Sequence, residues 1–147
     1  MLSWSCRFAA AKKAECKLRN LPKYVFLIAG IYGLVVLTPH YFLEGHFSAK
    51  HPPAITHPEF YYGFLGVALA FQVLFIIISR DPVRLRPAMI AAVLEKLSFG
   101  MAGIVLFLAG RIVAPMLAAG ILDLVFGALF VLAYMRTPAG QVQASAA

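Results

Sequence analysis

Acidic residues are scarce in this chain, with six Asp and Glu against 13 Lys and Arg and a formal net charge of +7. Charged residues of both signs make up only 13% of the 147 residues, whereas hydrophobic ones make up 62%. Soluble domains carry roughly 45–50% apolar residues, and a domain this small has too much surface per volume to hide the excess. An ordinary soluble globule is therefore excluded, and the bilayer has to serve as solvent. Cysteine is nearly missing: Cys6 and Cys16 stand alone, at a spacing that matches no metal pattern. A disulfide framework is excluded with them, and two thiols on a cytoplasmic flank are expected to stay reduced.

What is present is a chain of long apolar runs separated by short basic flanks. Transmembrane spans are expected at about 23–38, 59–79, 87–109 and 114–135, because a hydrocarbon core of ~30 Å needs ~20 apolar residues in a helix. Pro22, Pro58, Pro87 and Pro115 stand near the starts of these runs, where a missing N–H does no harm. Arg7, Lys12, Lys13, Lys17, Arg19 and Lys23 flank the first run, Arg80, Arg84 and Arg86 the second turn, and Arg136 the end of the fourth. Basic residues mark cytoplasmic loops, so both termini are expected in the cytoplasm. Charge spread in this way also argues for anionic headgroups as partners and against nucleic acid. The fold class that follows is all-α: a four-transmembrane-helix bundle with short loops, over residues 23–136. A basic flank precedes it at 1–22, read as a loose tail or a surface helix carrying Trp4 and Phe8. A tail expected to be disordered follows at 137–147.

The long loop at 40–58 holds all four histidines, His40, His46, His51 and His57. No pair has the i, i+4 spacing of a helical ligand motif, so the loop reads as interfacial, with Tyr41, Phe42 and Phe47 at headgroup level. No metal or other cofactor is expected.

The informative residues are the few polar ones inside the runs. At ~1.5 Å of rise per residue, Gln72 falls ~10 Å from the cytoplasmic end of its span, Glu95 ~12 Å, Lys96 ~13 Å, Asp123 ~17–18 Å and Tyr32 ~13 Å. Each span thus contributes to one slab about a helical turn thick. Asp123 lies on a small-residue strip with Ala119 and Gly127, Glu95 with Ala91, Ala92, Ser98 and Ala102, and Lys96 with Ala92, Gly100 and Gly103. Small strips mark helix contacts, so the charged groups are expected to point inward and Leu94, Leu97, Val105, Leu106 and Leu108 toward lipid.

The span count, the histidine-bearing outer loop, and Arg80-Asp81-Pro82 leading into an acid-bearing third span resemble the small bacterial four-helix membrane proteins that include the DoxX-like families. That resemblance implies a multi-pass protein of the bacterial inner membrane, one of whose relatives is a subunit linked to quinone-coupled sulfur oxidation. Four-helix sterol-isomerase-like proteins share only the general arrangement of acids in a membrane cavity.

The leading expectation is a protein that binds a lipophilic or quinone-like ligand through Glu95, Lys96, Asp123, Gln72 and Tyr32, or serves as an accessory subunit of a larger membrane complex or homo-oligomer. One alternative is a purely structural subunit whose polar layer fixes helix register. The other is an isomerase-like enzyme moving protons through Glu95 or Asp123. An ion pathway is disfavoured, since the polar groups form one layer and no chain to either surface.

Overall fold

The computed structural model describes residues 20–50 and 55–139. The Cys6–Cys16 flank with Trp4 and Phe8, His51, and the tail from residue 140 onward lie outside the described residues. Helix α1 is Leu21–Leu37, followed directly by a 3-10 segment Thr38–Phe42. Helix α2 is Glu44–Lys50, α3 is Pro58–Arg80, α4 is Ala88–Leu108 and α5 is Ala114–Arg136. No strand occurs among the described residues. Four segments are long and apolar enough to cross a membrane: Leu21–Phe42, Pro58–Arg80, Ala88–Leu108 and Ala114–Arg136.

The expected spans fall within a few residues of these helices, with one informative difference. The expected span stops at about residue 38, yet the helical path continues through Pro39, which sits in the first turn of the 3-10 segment. A proline is tolerated there because that turn needs no N–H from it. The segment lengthens the first candidate span to 22 residues. Residues 44–50 also form a short helix where an irregular loop was expected. Gly110, at φ +69°, reverses the chain after α4 in a conformation that favours glycine.

Consecutive long helices pair: α1 packs along α3, and α4 along α5. The two pairs join mainly through α1 and α5, while α3 and α4 touch lightly. Close approach within each pair rests on glycine. Gly100 and Gly103 of α4 face Gly120 of α5, and a Cβ on Gly100 would lie 2.9 Å from the Gly120 carbonyl oxygen. On α1, a Cβ on Gly30 would come within 2.8 Å of the Gln72 carbonyl oxygen of α3. Such seams give van der Waals contact where no hydrophobic effect operates between helices.

The solid core occupies the half of the bundle near the chain termini. Phe26 stacks on Phe130 with ring centroids 4.2 Å apart, and Phe75 meets Phe130 edge-on at 4.9 Å. Ala29, Ile78, Met89, Ala92 and Ala133 complete this cluster. The α3–α4 turn is fastened beneath it: the Arg86 guanidinium lies 3.9 Å over the Tyr134 ring, and its Nε donates to the Tyr134 carbonyl at 3.4 Å. Leu94, Val105, Leu108, Val67, Val35 and Val125 are exposed on the outer faces, as acyl-chain contacts require.

Candidate functional site

Above the aromatic core the four long helices stand apart around a cavity of about 260 Å³. That volume lies near the lower end of small-molecule sites, which run ~300–1,000 Å³. Its lining is largely apolar, with Ala29 and Gly33 from α1, Phe64 and Leu65 from α3, Phe99 from α4, and Leu122 and Phe126 from α5. Gln72, Glu95, Lys96 and Asp123, singled out in the sequence, gather toward the floor with Tyr32 on the wall, and His40 and Tyr61 add polar groups at the mouth.

Lys96 is the centre of this floor. Its side chain is 7% exposed, and Nζ lies 3.1 Å from both Asp123 Oδ1 and Oδ2. The same nitrogen donates to Glu95 Oε1 at 3.5 Å and lies 3.3 Å from Oε2. The Oε2 contact is outside hydrogen-bond geometry, and that oxygen accepts no hydrogen bond among the described residues. The ammonium also sits 5.4 Å from the Phe75 ring centroid, so the core supplies an aromatic face beneath it. One cation therefore bridges two carboxylates from α4 and α5. A buried charge is tolerable only with such partners.

Gln72 departs from expectation. It was placed in a network with the charged groups, but its Nε2 donates to Ala68 O of its own helix at 3.0 Å. Its Oε1 is buried and accepts no hydrogen bond among the described residues. The amide occupies the space that a side chain on Gly33 would fill, so Gly33 is what lets the Gln72 amide pack between α1 and α3. The small-residue strip assigned to Glu95 is also corrected. Ala91, Ser98 and Ala102 are exposed, and the packed strip of α4 is Ala92, Lys96, Gly100 and Gly103. Glu95 consequently stands at the edge of the α4 interface, facing the light α3–α4 seam. Tyr32 reaches the cavity from α1 with its ring 5.7 Å from Phe126 and remains partly exposed on the outer face.

A second hollow lies along that seam. Phe64, Val67, Ala68, Glu95, Ser98 and Phe99 line it, so it shares Phe64, Ala68, Glu95 and Phe99 with the main cavity. The stacked Phe64 and Phe99 rings, 5.7 Å between centroids, stand where the two hollows meet. Val67 and Ser98 are exposed on its outer side, which places a side opening at mid-helix depth. The far mouth is built by the loop end of the bundle. Tyr61 donates to the His40 carbonyl at 2.9 Å, and Tyr62 donates to Glu44 Oε2 at 2.8 Å. The His40 ring bonds Val36 O at 2.8 Å. These bonds tie the 3-10 segment and α2 to the start of α3. No group of three metal-ligating side chains converges among the described residues.

Sequence reasoning missed the apolar wall. Phe64, Ala68 and Gln72 recur at i, i+4 and i+8 on α3, and Phe99 lies one turn beyond Lys96, so the helical period carried a signal once Gln72 was known to face inward. His40 and Tyr61 at the mouth had no such signal, because their approach depends on the 3-10 continuation of α1. No family model matches the chain, and no similar curated protein or solved structure was found. The likeness to DoxX-like proteins gains no support from these comparisons.

Proposed function

We propose that this is a multi-pass membrane protein that takes a lipophilic, quinone-sized molecule into its bundle interior and holds the polar end against Lys96, Asp123, Glu95 and Gln72. The observation that carries this reading is the three-charge group of Lys96, Glu95 and Asp123 at the floor of a hollow whose lining is otherwise largely apolar. Ionisable groups at membrane depth are costly to bury and default to function. An orientation with both termini in the cytoplasm of a bacterial cell, and a place as accessory subunit of a larger complex, belong to the same proposal.

The test uses the full chain in lipid nanodiscs with short-tailed benzoquinone and alkylphenol probes. Saturable binding of at least one probe, abolished by Ala68→Phe while the thermal unfolding midpoint is held, is the expected result. Ala68 lines the cavity and is buried, so a phenyl ring there occupies the guest's space. Binding that is absent, or indifferent to Ala68→Phe, overturns the reading. The isomerase-like alternative, with Glu95 or Asp123 as proton carrier, shares this cavity and differs in requiring turnover. A purely structural subunit predicts no saturable binding at all.

A further inference from the structure

We infer that the Arg86 guanidinium, at the end of the bundle near the chain termini, is a binding site for the phosphate of an anionic phospholipid. The site needs the long helices to span a bilayer and needs nothing in the cavity.

Charge is unevenly divided between the two ends of the bundle. Lys23 in the first turn of α1, Arg80 at the end of α3, Arg84 and Arg86 in the α3–α4 turn, and Arg136 at the end of α5 share one end, with Asp81 as the only acid there among the described residues. None of these cations forms an ion pair among the described residues. Asp81 is engaged with the backbone, its Oδ1 accepting from the Arg84 N–H at 3.2 Å. At the opposite end Lys50 and Arg111 are matched by Glu44 and Glu59. A field of one sign therefore stands at one headgroup level, and such a field draws anionic lipids.

Arg86 turns that diffuse attraction into a site. Its guanidinium lies 3.9 Å over the Tyr134 ring, and Nε donates to the Tyr134 carbonyl at 3.4 Å. The side-chain freedom that a loose arginine loses on binding is already lost here. The remaining donors, on Nη1 and Nη2, meet no acceptor among the described residues, and neither nitrogen is buried in the way the unpartnered Gln72 and Glu95 oxygens are. They are open to the surroundings. A planar fork held in one orientation matches two phosphate oxygens. Arg86 stands two residues before α4 begins, at interface depth, where lipid phosphates are the abundant anion. Ile90 and Leu94 of α4 and Met135 of α5 are exposed below it, an apolar surface for the acyl chains.

The test titrates the full chain in neutral detergent with dihexanoylphosphatidylglycerol, with dihexanoylphosphatidylcholine of the same acyl length, and with inorganic phosphate, reading affinity from the rise in unfolding midpoint. The expected result is saturable binding of the anionic lipid, about tenfold or more tighter than that of the zwitterionic one. It should survive ~1 M NaCl, where a Debye length of ~3 Å removes diffuse attraction. Arg86→Lys keeps the charge and removes the fork, and should weaken the anionic lipid about tenfold. Arg111→Gln, at the other end, should leave it unchanged. A merely structural Arg86 would shift the lipid-free midpoint and leave lipid affinity intact, which overturns the site. Equal affinity for the two lipids, or inorganic phosphate binding as tightly as the anionic lipid, overturns it as well. Should Arg86→Lys fail to fold, the salt series on the unaltered chain decides: binding lost at high salt is diffuse attraction, and no site exists.

Discussion

Lys96 is the single side chain on which the polar floor depends. Among the described residues it is the only cation at the floor, and it faces two carboxylates across α4 and α5. Removing one partner of a buried pair is far more costly than removing both, because the remaining charge is left without compensation. Lys96→Met is expected to lower stability by about 3–5 kcal/mol, by analogy with buried ion pairs elsewhere. Adding Asp123→Leu should recover a large part of the loss. Thermal unfolding in detergent, followed by circular dichroism, reads both; a double variant no better than the single one would contradict the assignment. At this scale the sequence was informative about identity and poor about partners. Lys96, Asp123 and Glu95 were expected at one level and meet within hydrogen-bonding distance. Gln72 was expected among them and instead bonds its own helix, because glutamine can turn back on the carbonyl at i−4 and sequence spacing does not reveal which option wins.

Among the elements, the α4–α5 seam makes a sharper prediction than any helix alone. A Cβ on Gly100 would lie 2.5 Å from Leu124 Cγ and 2.9 Å from the backbone oxygen of Gly120. A Cβ on Gly120 meets nothing nearer than 3.6 Å. Two glycines facing each other across one seam should therefore respond oppositely to the same change. Gly100→Ala is expected to destabilise by about 1–3 kcal/mol through overpacking. Gly120→Ala should be close to neutral, and thermal midpoints of the two single variants compare them directly. Equal losses would mean that the helices are spaced otherwise. The existence and limits of the four long helices were legible, because apolar length and proline placement determine them locally. The small-residue strip of Lys96 was legible too. That of Glu95 was not, since Ala91, Ser98 and Ala102 look identical in a sequence whether they meet a helix or a gap.

For the molecule as a whole, the basic flanks predict a topology that labelling can check. Arg84 lies in the α3–α4 turn and Arg111 in the α4–α5 turn, on opposite ends of α4. In Arg84→Cys and Arg111→Cys variants made on a background lacking Cys6 and Cys16, an impermeant maleimide applied to intact cells should modify only the Arg111 position. Labelling of both from outside would refute the four-span arrangement. Four helices long and apolar enough to cross a membrane, and their order, could be read from the chain because hydropathy is additive along it. The uneven division of the bundle into a filled half and a hollow half could not, since it depends on which helix pairs approach closely and which stand apart.

That division has a mechanical consequence. Arg86 clasps Tyr134 at one end of the bundle, and the Phe26–Phe75–Phe130 rings fill the space behind it. The cavity lies toward the other end. Hydrostatic compression acts on voids, so squeezing this protein should draw the loop ends of the two helix pairs together while the clasped end barely yields, like a peg closing about its spring.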